Sequence, residues 1–145
     1  MKQDDPNFDW VAARAKCSAS EVYQDFSLQL KKDVATRNEL LSGKERKHEI
    51  NFMFAGCSEP NSVMVAAQTG GRFLGEKPLA HVIFTKVPEG ISAEYSDGTK
   101  LTGLLTLSQD GECRLKVDSV EYSFWQFRKL TLEPIFFDAV KNYRE

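Results

Sequence analysis

The sequence predicts an α+β domain: a curved antiparallel meander of six or seven strands over residues 48–124, bracketed by an N-terminal helix (19–42) and a C-terminal helix (126–143). Three observations carry this. Asp97-Gly98 and Asp110-Gly111 cut alternating apolar runs, and Asp-Gly supplies the positive φ angles that a tight hairpin turn requires. Val22, Phe26, Leu30 and Val34 recur every four residues, the spacing of a helix with one apolar stripe. Helical spacing then returns in Phe127, Leu130, Leu132, Ile135, Phe136, Ala139 and Val140.

A chain of 145 residues is read as a single domain over 1–145, long enough for a sizeable core. Hydrophobic content of 41% and charged content of 28% set it apart from disordered chains. A net charge of -2 argues against nucleic-acid binding, which needs a clustered positive excess. No run reaches the roughly 18–20 apolar residues of a membrane span. Residues 1–6 lack the apolar core of a signal peptide, so a cytoplasmic protein without membrane contact is expected. Cys17, Cys57 and Cys113 are odd in number, widely spaced and without a Cys-x-x-Cys pair. They are read as three reduced thiols.

Taken in order, residues 7–17 admit two readings. Val11, Ala13, Ala15 and Cys17 alternate as a strand would; Phe8, Val11, Ala12 and Ala15 would line a short helix, which the alanine content favours. Ser18-Ala19-Ser20-Glu21 has the form of a capping box for the first long helix. Leu41 extends its stripe, and Lys31, Lys32, Asp33, Arg37 and Glu39 take its remaining surface. Ser42-Gly43 reads as its stop, and Lys44-Glu45-Arg46-Lys47-His48 as a solvated loop. His48, Ile50, Phe52 and Phe54 share one side of the first strand.

Val63, Val65 and Ala67 oppose Met64 and Ala66 in the second strand, and Gly70-Gly71 would close a turn before a short strand or loop at 72–74. Residues 79–87 are apolar on both sides, as in a central strand covered on both faces, with His81 on the core side beside Leu79 and Ile83. Ile91, Ala93 and Tyr95 follow, then Leu101, Gly103, Leu105 and Leu107 facing inward, then Cys113, Leu115 and Val117 facing inward, then, after a shorter turn near Asp118-Ser119, Val120, Tyr122 and Phe124. Pro134 must sit in the first turn of the last helix or kink a longer one beginning near Trp125. Polar outward positions leave one face of the sheet to solvent, so the two helices cover the other.

This order of elements resembles the helix-grip domains of the START-like type, in which a curved antiparallel sheet wraps a C-terminal helix around an apolar pocket. The resemblance implies a pocket between sheet and helix. Phe52, His81, Tyr95, Leu105 and Phe136 are the candidate lining residues, and a small apolar molecule is the implied ligand.

Chemistry is sparsely encoded. Of two histidines, His48 stands among charges, and His81 is the one candidate base, read first as a hydrogen-bonded core residue. Cys57 has no identifiable base beside it, and no histidine spacing suits a metal, so neither cofactor nor metal is expected. Thr69-Gly70-Gly71-Arg72 lacks the remainder of a phosphate-binding loop. Phe136 and Phe137 cannot share one helix face, so Phe137, together with Tyr143, is a candidate contact to a partner protein or a second copy. The expected function is a non-catalytic binding or protein-interaction domain, ahead of an apolar-ligand pocket and of an enzyme using His81.

Overall fold

Seven strands form one open antiparallel sheet in sequential order in the computed structural model, which describes residues 5–70 and 77–144. They are β1 (Asn51–Gly56), β2 (Ser62–Thr69), β3 (Lys77–Val87), β4 (Gly90–Tyr95), β5 (Lys100–Leu107), β6 (Cys113–Val117) and β7 (Val120–Tyr122). Helices α1 (Trp10–Lys16), α2 (Ala19–Glu39) and α3 (Gly43–Lys47) precede the sheet. Helix α4 (Phe124–Glu133) follows it, continued by a π-helical turn (Pro134–Asp138) and a 3₁₀ turn (Lys141–Tyr143). The α+β reading therefore holds, and residues 7–17 take the helical alternative. No helix among the described residues is long and apolar enough to cross a membrane.

The Asp-Gly pairs do turn the chain, with Gly98 at φ 92° and Gly111 at φ 87°. Their connections are longer than two residues, spanning 96–99 and 108–112. The aspartates brace them locally: Asp97 Oδ1 accepts from the Thr99 N–H at 2.9 Å, and Asp110 Oδ1 from the Glu112 N–H at 3.0 Å. Gly70 takes a positive φ of 88°, and Gly71 and the segment 72–74 lie outside the described residues.

The stripe Val22, Phe26, Leu30 and Val34 is buried against the sheet as the periodicity demands. The helix start differs. Ser18 is the N-cap residue of α2, but its side chain makes no capping bond and its Oγ faces Ser20 Oγ at 3.4 Å. Full capping boxes form instead at Ser42/Glu45, opening α3, and at Ser123/Gln126, opening α4. Ser42 thus starts a helix rather than stopping one, and the charged run 44–48 is not a solvated loop. Glu45 is buried within it. Because α3 occupies 43–47 and Glu49 takes a left-handed φ of 56°, β1 begins at Asn51 rather than at His48.

His81 also corrects expectation. Val82 and Phe84 are fully buried toward the helices, and side chains alternate along a strand, so His81, Ile83 and Thr85 lie on the opposite face, half-buried. The apparent periodicity misleads because of a bulge: Ala67 pairs with Ala80 but Gln68 pairs with Pro78, leaving Leu79 unpaired. Leu79 and Ala80 both reach the core as a result. β3 is therefore packed fully on one face only.

Helix α4 approaches the sheet closely because Gly103 has no side chain. A Cβ there would stand 2.8 Å from Phe127 Cε1 and 3.2 Å from Leu115 Cβ. Rings fill the layer between sheet and helices, with centroids 5.5 Å apart for Phe26–Phe84, 5.8 Å for Phe26–Phe127 and 5.2 Å for Phe52–Phe136. Pro134 ends α4 proper: lacking an N–H, it cannot continue the bonding pattern, and the Ala139 N–H bonds back to the Pro134 carbonyl at 2.9 Å in a π turn.

Cys17 and Cys113 form a disulfide with their Cα atoms 5.5 Å apart, tying the end of α1 to the start of β6. This overturns the reading of three reduced thiols; Cys57 alone is free. The spacing along the chain conceals the pair, because the meander brings together residues separated by 96 positions.

Candidate functional site

The five candidate pocket residues do not assemble into one lining. Phe52 and Phe136 are buried and meet edge to face. Leu105 packs against the core, while His81 faces the other side of the sheet. Tyr95 is a structural tie: its hydroxyl donates to the Thr131 carbonyl of α4 at 2.8 Å. Burial, with a smaller contribution from the Asp97 charge, pushes its ionisation up to about 12.

That shift has a measurable sign. The unfolded chain loses the phenolic proton near pH 10, whereas the folded chain holds it to about 12. Stability is fully present below pH 10 and declines as the pH rises from there toward 12. Urea midpoints measured in steps from pH 9 to 12 should fall, and Tyr95→Phe should flatten that fall. A variant profile parallel to wild type would remove Tyr95 from it.

The C-terminal aromatics separate as their spacing requires. Phe136 turns into the core, whereas Phe137 remains 37% exposed. The guanidinium carbons of Arg37 and Arg144 each lie 4.8 Å from the Phe137 ring centroid. Tyr143 is half-buried with its ring 5.2 Å from the exposed His48 ring.

What the structure does build is a groove of about 390 Å³ between α2 and the α4–π segment. Its direction follows from two contacts. Arg128 Nε donates to Asp33 Oδ2 at 2.8 Å, and Arg37 Nε donates to the Phe136 carbonyl at 3.0 Å. Both helices therefore advance toward the same end. Trp125 stands at the Asp33–Arg128 end; Leu40 and Phe137 stand at the other, and Leu132 and Phe136 lie between. Leu40 is 71% exposed and Trp125 59%. The Lys129–Glu133 pair, at 3.4 Å, edges the outer side.

Beneath one end lies a buried ion pair. Arg37 is 5% and Glu45 1% exposed. Arg37 Nη1 donates to Glu45 Oε1 at 3.2 Å and Nη2 to Oε2, a bidentate fork, while its guanidinium carbon sits 4.7 Å from the Phe52 ring centroid. The Glu45 carboxylate also accepts from the Ser42 N–H at 2.9 Å and lies 4.0 Å from Arg144 Nε. Burial acts to raise its ionisation. The Arg37 and Ser42 hydrogen bonds and the Arg37 charge outweigh that and hold it below the usual carboxylate value. The guanidinium is thereby committed to internal partners.

Sequence reasoning missed this arrangement, although two signals mark it. Arg37 follows Leu30 by seven positions and Val34 by three, on the buried stripe. Ser42 and Glu45 have capping-box spacing.

Fold and site together define an α+β domain with an open antiparallel sheet and an apolar groove between two helices running the same way. No family model matches the chain, and no curated protein or solved structure matches it.

Proposed function

We propose that the protein is a non-catalytic interaction domain whose binding surface is the α2–α4 groove. One observation carries the reading: Leu40, Trp125 and Phe137 are large apolar side chains exposed around a concavity floored by Leu132 and Phe136. Single exposed apolar residues are ordinary, but a cluster around a cleft with a charged rim is the composition of an interface. The groove's buried guanidinium is already bonded to Glu45 and Phe136, so the surface offers apolar contact rather than a poised reactive group.

The apolar dye anilinonaphthalenesulfonate tests this on the native protein at about 1 µM. Its fluorescence should rise saturably, and Thr36→Glu should abolish the rise by setting a carboxylate in the groove, which breaks the apolar surface and repels the dye's sulfonate. Thr36 is exposed, so the variant folds. No enhancement by wild type, or enhancement indifferent to Thr36→Glu, would remove the reading.

A further inference from the structure

We infer that the free edge of β1 between Phe54 and Gly56 receives an extended peptide segment of a partner protein, added antiparallel to the sheet. β1 is an edge strand, first in the strand order and paired with β2 alone. Two contacts fix which of its residues look outward. The Cys57 N–H donates to the Ser62 carbonyl at 3.0 Å, and backbone groups alternate sides along a strand, so Asn51, Met53 and Ala55 bond inward to β2. Phe52, Phe54 and Gly56 therefore direct their N–H and C=O groups away from the sheet. Asn38 of α2 occupies the first of these: its Oδ1 accepts from the Phe52 N–H at 2.9 Å, and its Nδ2 donates to the Phe52 carbonyl at 2.9 Å. One carboxamide thus exchanges both bonds with one residue, as a partner residue does in an antiparallel pair. Among the described residues, the outward groups of Phe54 and Gly56 have no such cap.

There is room for a strand beside them. A Cβ on Gly56 would meet nothing within 4 Å. Phe54 shares a cleft of about 420 Å³ with Tyr23, Ser27, Leu28 and Lys31 of α2. At about 100° per residue these positions lie on the flank of α2 away from Thr36, Arg37 and Leu40. The site is therefore distinct from the α2–α4 groove, and the inference stands or falls apart from the groove reading.

The geometry also sets the peptide's chemistry. Directly opposed residues of an antiparallel pair put their side chains on the same face. The residue opposite Phe54 thus enters the cleft, whose wall includes Leu28, 64% exposed, and an apolar side chain fits it. Among the described residues lining the cleft, Lys31 carries the one charge and has no ion-pair partner. A carboxylate opposite Gly56, two positions away on the same face, complements that charge. Because the strands run oppositely, the segment reads acidic, any residue, apolar, and it leaves the edge where Asn38 stands. The same cap disfavours a second copy: a β1 centred on Phe54 would set its own Phe52, already bonded to Asn38, opposite Gly56.

Amide hydrogen exchange of the full, disulfide-bonded chain reads this residue by residue. In the free chain the Phe54 and Gly56 amides should exchange at least tenfold faster than those of Met53 and Ala55. The peptide acetyl-Thr-Thr-Glu-Thr-Leu-Thr-amide at about 1 mM should slow both at least tenfold. The same peptide methylated on its leucine nitrogen loses the donor to the Phe54 carbonyl and should not protect them. Lys31→Glu, at an exposed position, should abolish protection by this peptide and confer it on the peptide with lysine in place of glutamate. Phe54 and Gly56 as slow as Ala55 in the free chain would mean the edge is already covered, which overturns the inference. No protection by the peptide, or protection that survives N-methylation, overturns it as well; glutamate and lysine peptides protecting wild type equally overturn the acidic position.

Discussion

Replacing Cys17 and Cys113 together by alanine should lower the unfolding free energy by about 4 kcal/mol, and reducing the wild-type disulfide with dithiothreitol should do the same. The size comes from the chain separation of 96 residues, because a cross-link removes loop entropy from the unfolded state. For a loop near 100 residues the chain-entropy value is about 4.7 kcal/mol, and native disulfides in practice fall at 2–5. Alanine is the right replacement, because Cys17 is buried and a serine hydroxyl would add its own burial cost. At this chain length the loss corresponds to roughly 10–15 °C in Tm. Urea unfolding with and without reductant checks it, with the double-alanine variant as the control that reductant should not move. A wild-type midpoint unchanged by reduction would show that the bond adds nothing.

The fold should survive reduction, only less stably. Helix α1 buries none of its side chains, whereas the core of α2, α4 and the sheet does not involve it. A disulfide persists in an oxidising compartment and is lost in a reducing one. In a reducing compartment the chain would therefore work without this contribution, and the test at the bench measures how much margin remains.

The legible part of the sequence was the part governed by local rules. Alternation and Asp-Gly pairs placed the meander because a strand's period of two and a turn's positive φ are written in adjacent residues. The stripe from Val22 to Val34 placed α2 for the same reason. Where the outcome depended on distant chain, local reading failed. His81 sits opposite the core because Val82 and Phe84 take the buried face of a strand apolar on both sides, and Leu79, which seemed to place it inward, reaches the core only through a bulge set by pairing with a distant strand. Cys17 and Cys113 met because five strands of meander intervened and returned. The groove needed both helices in place, and nothing near Trp125 signals that Leu40 will share its cleft. The Arg37–Glu45 pair stands between these cases. Helical spacing places Arg37 on the buried stripe, but a guanidinium inside a core is legible only once its carboxylate is also known to be buried.

That pair carries the second large effect. Glu45→Gln should cost about 3–5 kcal/mol, because it leaves the Arg37 guanidinium buried against an uncharged partner. The double variant Arg37→Met/Glu45→Leu should cost clearly less than the two single losses added together, since neither side chain then strands a charge. Some cost remains, because Arg37 also holds the Phe136 carbonyl and Glu45 also completes the α3 capping box. The pH dependence follows from the direction of the Glu45 shift. Its ionisation is lower in the folded chain than the unfolded value near 4.5, so its stabilisation is present above that pH and is lost as the pH falls through the folded value. Wild type should lose stability on acidification below about pH 4.5, and the double variant should lose less over the same interval. Urea midpoints from pH 7 down to 3 for wild type, Arg37→Met, Glu45→Leu and the double variant close the cycle, with Glu45→Gln measured beside them. Strictly additive costs, or identical acid profiles, would mean that the two charges are not coupled and that the groove's floor is held by packing alone.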